Sequence, residues 1–374
     1  MKIAVNTRLL LKNKMEGIGM HALNVLKRIT VNHPEHQFLF LFDRKYDEEF
    51  IFSDNITPVV LFPQARHPLL YYWWFEYSVA ITLNQVKPDI FYSPDGFLSL
   101  NTEVPSIPVI HDINYEHYPK DLPTWTSWHY RHFFPLYAKH ARRILTVSEF
   151  SKQDIAEHYS ISLDKIDVVY NAADSLYKKL EEAEKKEIRN KYSGGEEYFL
   201  YVSALHPRKN VKRLLEAFDK MKKKSGSPIK LVLVGPHYFK NIEMEKVFHA
   251  MKFKSDVIFT GRLNVEELSK VTGAAFALVY VSYFEGFGIP IVEAMQCEVP
   301  VIASNVTSMP EVTGNAARLV DPFSVDSITE GMLEVLKNGT LKQQLIEKGK
   351  ERARFFSWDK TAQLTWQSIE KVMH

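Results

Sequence analysis

A chain of 374 residues, 45% apolar and 25% charged, has the composition of a globular protein and the length for two domains. A net charge of only +2 excludes the strongly basic balance that would make nucleic acid the default partner. One cysteine, Cys297, excludes an intrachain disulfide and suits a reducing, cytoplasmic compartment, and no apolar run approaches the ~20 residues of a membrane-spanning helix.

In chain order, Lys2–Thr7 reads as a strand rather than a secretory signal. Gly17 opens an amphipathic helix that runs to Ile29. Gly17, Gly19 and Ala22 fit G-x-G-x-x-A, and Asp43 ends the next strand, Gln37–Phe42, at roughly the offset of a dinucleotide fingerprint. An NAD-dependent oxidoreductase is one reading of this half. Leu10–Glu16 stand against it, because a dinucleotide-binding strand runs almost directly into its glycine turn. The aromatic run His67–Phe75 is either a mostly buried helix or a surface for a lipid-linked acceptor or peripheral membrane contact. Lys139, Arg142 and Arg143 would suit anionic lipid if they faced it. Asp89–Tyr92, Pro108–Asp112, Arg143–Ser148 and Ile166–Tyr170 are further strands, with His111 near the end of one and a helix beginning at Ser151, its expected cap.

The segment Lys178–Asn190 is densely charged and precedes Ser193-Gly-Gly195, an exposed helix leading to a flexible joint. The boundaries predicted are 1–177, a linker at 178–196, and 197–356. The pattern then restarts with strands at Tyr198–Ser203, Ile229–Val234, Val257–Thr260, Ala274–Val281 and Val299–Ala303. Asn210 is a candidate cap for the helix to Met221, and Val325–Lys337 is another helix. Strands alternating with helices predict an α/β chain: two Rossmann-like, doubly wound domains facing a cleft.

Two sequences in the second half carry chemistry. Leu205-His-Pro-Arg-Lys-Asn210 offers Arg208 and Lys209 at a strand end, where a planar fork and a point charge could neutralise a diphosphate. Ser282-Tyr-Phe-Glu-Gly-Phe-Gly-Ile-Pro-Ile-Val-Glu-Ala-Met295 places Glu285 and Glu293 around a glycine turn and a helix whose first turn holds Pro290. Helix starts attract phosphate, and carboxylates accept from hydroxyls. A nucleotide sugar satisfies both.

Glu285 and Glu293, with Val299-Pro-Val-Ile-Ala-Ser304 and Pro310-Glu-Val312, resemble the E-x7-E signature of family 4 retaining glycosyltransferases, and are closest in wording to bacterial mannosyltransferases of O-antigen and surface polysaccharide synthesis. The resemblance implies the GT-B fold, with a terminal helix at 357–374 returning to the first domain. It implies catalytic roles for His111, Arg208, Lys209 and Glu285. It implies donor contacts from Gly17, Gly19, Leu263, Phe287, Gly288, Ile289 and Glu293. No metal or other cofactor is expected, since no Asp-x-Asp pair or zinc-spaced Cys/His cluster is seen. The partners implied are a GDP- or UDP-hexose and a glycan or lipid-linked acceptor. Departures from the family pattern are Ser203-Ala204 for Gly-Arg, Glu298 for Gly, and Asn315 for Asp. A non-catalytic nucleotide-sugar sensor and a sugar-nucleotide epimerase are the other readings of such a fold.

Overall fold

The computed structural model describes residues 1–204, 206–236 and 242–373; Leu205, at the head of the basic loop, and His374 lie outside them. The chain divides into two compact units, Met1–Asn171 with Ser357–His374, and Ala172–Phe356. The helix Trp358–Met373 thus belongs to the first unit. The division falls six residues before the expected 177/178. The expected linker at 178–196 lies inside the second unit. There the helix Glu182–Ser193 is fixed by a capping box between Glu181 and Glu184, and Arg189 donates to the Ala274 carbonyl at 3.1 Å.

The first unit holds β1 (Lys2–Asn6), β2 (Gln37–Phe42), β3 (Ile56–Val60), β4 (Ile90–Ser93) and β5 (Ser106–Pro108) in one parallel sheet, ordered β3-β2-β1-β4-β5. A second parallel pair, β6 (Ile144–Thr146) and β7 (Ile166–Val168), joins through a bridge from Val109 to Leu145. The expected strand at Pro108–Asp112 is therefore displaced: β5 ends at Pro108, and His111 lies in the loop beyond. β3 was not legible in the sequence, because Pro58 interrupts the run; a strand that lacks one N–H survives at a sheet edge, where β3 sits.

The second unit is a six-stranded parallel sheet: β8 (Tyr198–Val202), β9 (Lys230–Val234), β10 (Val257–Gly261), β11 (Ala277–Tyr280), β12 (Val301–Ser304) and β13 (Ala317–Val320). The order is β10-β9-β8-β11-β12-β13. The chain leaves β8 to build one side, then crosses to β11 on the other, so β8 and β11 are neighbours with opposite onward directions. Their carboxyl ends form the topological switch point, where α/β folds bind ligands. The helix Val211–Ser225 buries Leu214, Leu215, Phe218 and Met221 completely against this sheet's core, each worth about 1.5–3 kcal/mol.

Local chemistry explains three differences from the sequence reading. Asn210 occupies the cap position but at φ 61°, with no side-chain cap bond; its amide instead donates to the carbonyls of Val281 (2.9 Å) and Pro322 (2.7 Å). Ser148, not Ser151, caps the helix Glu149–Tyr159, accepting from the Ser151 N–H at 3.0 Å. Glu298, where the family pattern leads one to expect glycine, sits at φ 58°, a left-handed conformation that glycine adopts without cost; Lys179 (2.9 Å) and Lys350 (3.2 Å) pair with its carboxylate.

Gly235, just past β9, has φ 152°, and a Cβ there would lie 1.9 Å from the Ser203 carbonyl oxygen. Backbone must move to admit any side chain. Gly235→Ala is expected to cost about 2 kcal/mol or more and to lower the melting midpoint by several degrees in a calorimetric scan. An unchanged midpoint would contradict this packing.

Candidate functional site

The switch point of the second unit brings the basic loop after β8 onto the glycine turn after β11. Arg208 and Lys209 lie in the short turn Pro207–Lys209, and Glu285 in the loop between β11 and the helix Ile289–Gln296. Arg208 Nη1 donates to Glu285 Oε2 at 3.0 Å and to the Phe284 carbonyl at 3.0 Å. Lys209 Nζ donates to Glu285 Oε1 at 2.5 Å, and the Tyr280 hydroxyl donates to the same oxygen at 3.0 Å. The backbones are tied as well: the Tyr283 N–H donates to the Arg208 carbonyl at 3.1 Å, and the Tyr201 hydroxyl to the Lys209 carbonyl at 3.2 Å. Burial alone would push the Glu285 carboxyl up, but Lys209 and Arg208 more than reverse this and hold it at about 2.

The glycine turn is held from below by Ser308, whose hydroxyl donates to the carbonyls of Glu285 (2.9 Å) and Phe287 (3.3 Å). Gly288 takes φ 95° immediately before the helix, with Ile289 and Pro290 in its first turn, so the expected loop-to-helix turn is present. Phe287 is buried edge-on against Phe356, with ring centroids 5.3 Å apart. Its side chain is thus part of the packing. Leu263 is half-buried in the turn after β10, and the neighbouring Asn264 caps the helix Val265–Gly273.

Glu293, further along the same helix, has a different environment. Burial pushes its carboxyl up to about 7; a hydrogen bond from the Tyr177 hydroxyl opposes this, and the charge of Asp174 adds to it. Tyr280, Tyr177 and Asp174 escaped the sequence reading. Tyr280 looks like one more apolar residue of a buried strand, and Tyr177 and Asp174 lie more than a hundred residues before the carboxylate they surround.

The first unit gathers the other predicted residues. His111 Nε2–H donates to the Pro94 carbonyl at 2.9 Å, which fixes its tautomer and leaves Nδ1 as an acceptor; burial lowers its pKa and keeps the ring neutral. His21 stands edge-on to it, 5.0 Å between centroids, and is held by Asn171 at 2.8 Å. His21 lies two residues after Gly19 and was missed, because nothing in a helical pattern distinguishes a buried histidine from a core residue. Gly17 begins the helix Gly17–Asn32, and Gly19 lets the preceding loop close on it, since a Cβ would meet the Leu9 carbonyl at 2.9 Å. Asp43 is bonded by Arg44 at 2.6 Å through each oxygen and by the Ala65 N–H at 2.9 Å. It is thus committed to the fold, which removes the main support for a dinucleotide ribose at this position. Among the described residues, His33, Glu35 and His36 bring three potential metal ligands within 4.8 Å, and none of them is a predicted site residue.

Comparison with known proteins follows the same division. Residues 15–175 match the family described as Glycosyltransferase Family 4, and residues 182–352 match Glycosyl transferases group 1. O-antigen chain mannosyltransferase B of Escherichia coli is 28% identical over 93% of this chain and 94% of its own length. O-antigen chain mannosyltransferase RfbU of Salmonella typhimurium is 32% identical over 57% of this chain and 56% of its own. Among solved structures, Anabaena HepE in complex with UDP and glucose aligns over 99% of this chain and all of its own (100%), with TM-score 0.78 and 16% identity. WaaG, a glycosyltransferase involved in lipopolysaccharide biosynthesis, aligns over 96% of this chain and 97% of its own, with TM-score 0.75 and 16% identity. At that identity the two structures bear on the fold alone.

The two carboxylates shift oppositely, so they act oppositely on stability. Glu285, depressed to about 2, stabilises the fold above the ordinary carboxylate range, and this is lost as pH falls toward 2. Glu293, raised to about 7, binds a proton more tightly folded than unfolded, so its presence costs stability as pH rises through 7. Glu293→Gln is therefore expected to raise the melting temperature by a few degrees in mildly alkaline buffer and to leave it nearly unchanged in acetate buffer. Equal shifts in both buffers would contradict the raised pKa.

Proposed function

We propose that this chain, which belongs to the glycosyltransferases built from a family 4 and a group 1 domain, transfers mannose from GDP-mannose to a hydroxyl of a glycan or lipid-linked glycan in surface polysaccharide synthesis. It is a hexosyltransferase with the GT-B fold. Relatives named as O-antigen mannosyltransferases, one of them similar along nearly the whole chain, support mannose as the sugar. A UDP-hexose is the alternative donor, as HepE holds UDP and glucose.

The observation that carries the reading is the charge balance at the switch point. Two cations, Arg208 and Lys209, face one carboxylate within 3.0 Å among largely buried groups. Paired cations at the carboxyl end of a parallel sheet suit an anion, and a diphosphate that gains charge as the glycosidic bond breaks is stabilised more in the transition state than before it. Arg208 and Lys209 would carry that stabilisation. Glu285 holds both in position; a carboxylate offers about four acceptor sites, so a hexose hydroxyl can join the donors already there. The Phe287–Ile289 backbone would orient the sugar, and Glu293 would accept from ribose hydroxyls. His111 would offer its Nδ1 lone pair to a hydroxyl of the donor sugar.

We assign retention of configuration by front-face attack. The acceptor oxygen bonds to the anomeric carbon on the face that the diphosphate oxygen leaves, and the acceptor proton passes to that departing oxygen. No metal is required by this scheme, and the site of action is the cytoplasm, where nucleotide sugars are made.

Arg208→Ala is expected to lower the transfer rate by about 10²-fold or more with the fold retained by circular dichroism. A wild-type rate in the folded variant would overturn the assignment. In a thermal-shift panel of nucleoside diphosphates and NADH, GDP at about 100 times its Kd stabilises the wild type by about 2.7 kcal/mol. A shift with NADH alone would favour an oxidoreductase, and GDP-mannose binding with neither transfer nor hydrolysis would favour a sensor.

A further inference from the structure

The aromatic run of the first unit is not the mostly buried helix that its sequence allowed. The helix Pro68–Trp73 buries none of its residues. Trp73 is 53% exposed, and Leu69, Leu70, Tyr72, Tyr77 and Ile81 are exposed with it, while Trp74 and Phe75 turn into the core. On the helix Thr124–His140, Trp125 is 68% and Trp128 53% exposed. Ring contacts join the two helices into one ribbon. Trp73 stacks on Tyr77 at 4.5 Å, Tyr77 meets Tyr72 at 6.1 Å, and Tyr72 meets Phe133 at 5.7 Å. Phe133 then meets Trp128 at 6.3 Å, and Trp128 meets Trp125 at 6.0 Å.

The two aromatic segments are poor in acid, although Asp121 stands beside Lys120 and Glu116 pairs with Arg131. Residues 63–87 and 124–140 contain a single acidic side chain, Glu76. It is buried and accepts from the Leu100 N–H at 2.9 Å. Arg66, Arg131 and Lys139 in the same segments are exposed. Beside Trp128 opens a cavity of about 690 Å³ lined by Lys120, Arg131 and His132. Arg131 pairs with Glu116 at 3.1 Å, yet its own side chain stays half in solvent.

We propose that this ribbon lies on an anionic lipid bilayer, with the aromatic rings at the headgroup level and Arg66, Lys120, Arg131 and Lys139 against lipid phosphates. Trp and Tyr favour the membrane–water boundary, and each cation near an anionic surface adds about 1 kcal/mol. A protein partner fits less well on one count: protein interfaces are depleted of lysine, and Lys120 and Lys139 flank this ribbon. Among the described residues no helix is long and apolar enough to cross a membrane, so the contact is one of lying on the surface.

Co-sedimentation of the full chain with vesicles tests this. It is expected to sediment with phosphatidylglycerol–phosphatidylcholine vesicles, to be released by high salt, and to bind phosphatidylcholine alone weakly. Its tryptophan emission shifts to the blue on the anionic vesicles. Trp125→Ser with Trp128→Ser, and separately Trp73→Ser, weaken vesicle binding about tenfold each. Arg66→Gln with Lys139→Gln removes much of the preference for anionic lipid. These side chains are exposed, and matched melting curves check folding; were a variant to unfold, the wild-type emission shift and salt release still decide. Absence of sedimentation, binding unchanged in the aromatic variants, or aromatic-dependent self-association without vesicle binding overturns the proposal.

Discussion

One carboxylate held between two cations organises the second unit. Glu285 is removed from water by the loop that carries it, and burying an unpaired carboxylate costs several kcal/mol. Lys209 and Arg208 offset that cost only because β8 and β11 are adjacent and parallel, so that the loops leaving them share one end of the sheet. Register, loop length and charge are mutually dependent here. Shifting β11 by one residue would turn its side chains to the opposite face and take the Tyr280 hydroxyl away from Glu285. The ion cluster is thus a product of topology as much as of residue choice.

The first unit has a comparable arrangement with a different outcome. Its sheet also reverses direction beside the first strand, between β1 and β4. Arg8, just past β1, donates to Asp95, just past β4, at 2.6 Å, and Asn6 donates to the same carboxylate at 2.7 Å. The Arg8 guanidinium lies over the rings of Tyr71 (4.9 Å) and Phe97 (4.5 Å). One cation meets one anion under an aromatic roof, so this pair is neutral and committed to packing. At the corresponding place in the second unit two cations meet one anion. The two clusters thus differ in the number of cations that face the carboxylate, not in the presence of a buried ion pair.

The sequence made the central strands legible because a doubly covered parallel strand is a continuous apolar run, as in Tyr198-Phe-Leu-Tyr-Val and Ala277-Leu-Val-Tyr. It hid the edges. β3 carries Pro58, and β13 reads Ala317-Arg-Leu-Val, with Arg318 facing out to Glu334 at 2.6 Å. Arg208, Lys209, Glu285 and Glu293 could be picked out because charged residues beside glycines at strand ends are conspicuous. Their partners were opaque for a physical reason: Tyr280, Tyr177 and His21 are buried residues whose polar atoms matter only through neighbours distant in sequence. The same holds for Trp73 and Trp74, adjacent residues of one type, of which one is exposed and the other buried; the helical rotation that separates them is local, but the face each meets is tertiary.

Glu285 and Glu293 complete the contrast between residue type and environment. They stand eight positions apart, on a loop and the helix it starts, and are chemically identical. Strong positive charge fixes the first as a permanent anion. The second lacks such a partner; Tyr177 gives it a single hydroxyl, and Asp174 adds like charge, so it holds a proton close to neutrality. A permanent anion can organise cations but cannot exchange a proton in the working pH range. A group poised near neutrality can accept from a ribose hydroxyl when ionised, and ligand hydroxyls that donate to it stabilise that ionised form. Under the proposed ribose contact, binding at Glu293 would be coupled to proton release by the same burial that raises its pKa, whereas Glu285 stays ionised until the pH falls toward 2. Two carboxylates of one motif thus differ in charge state through environment alone.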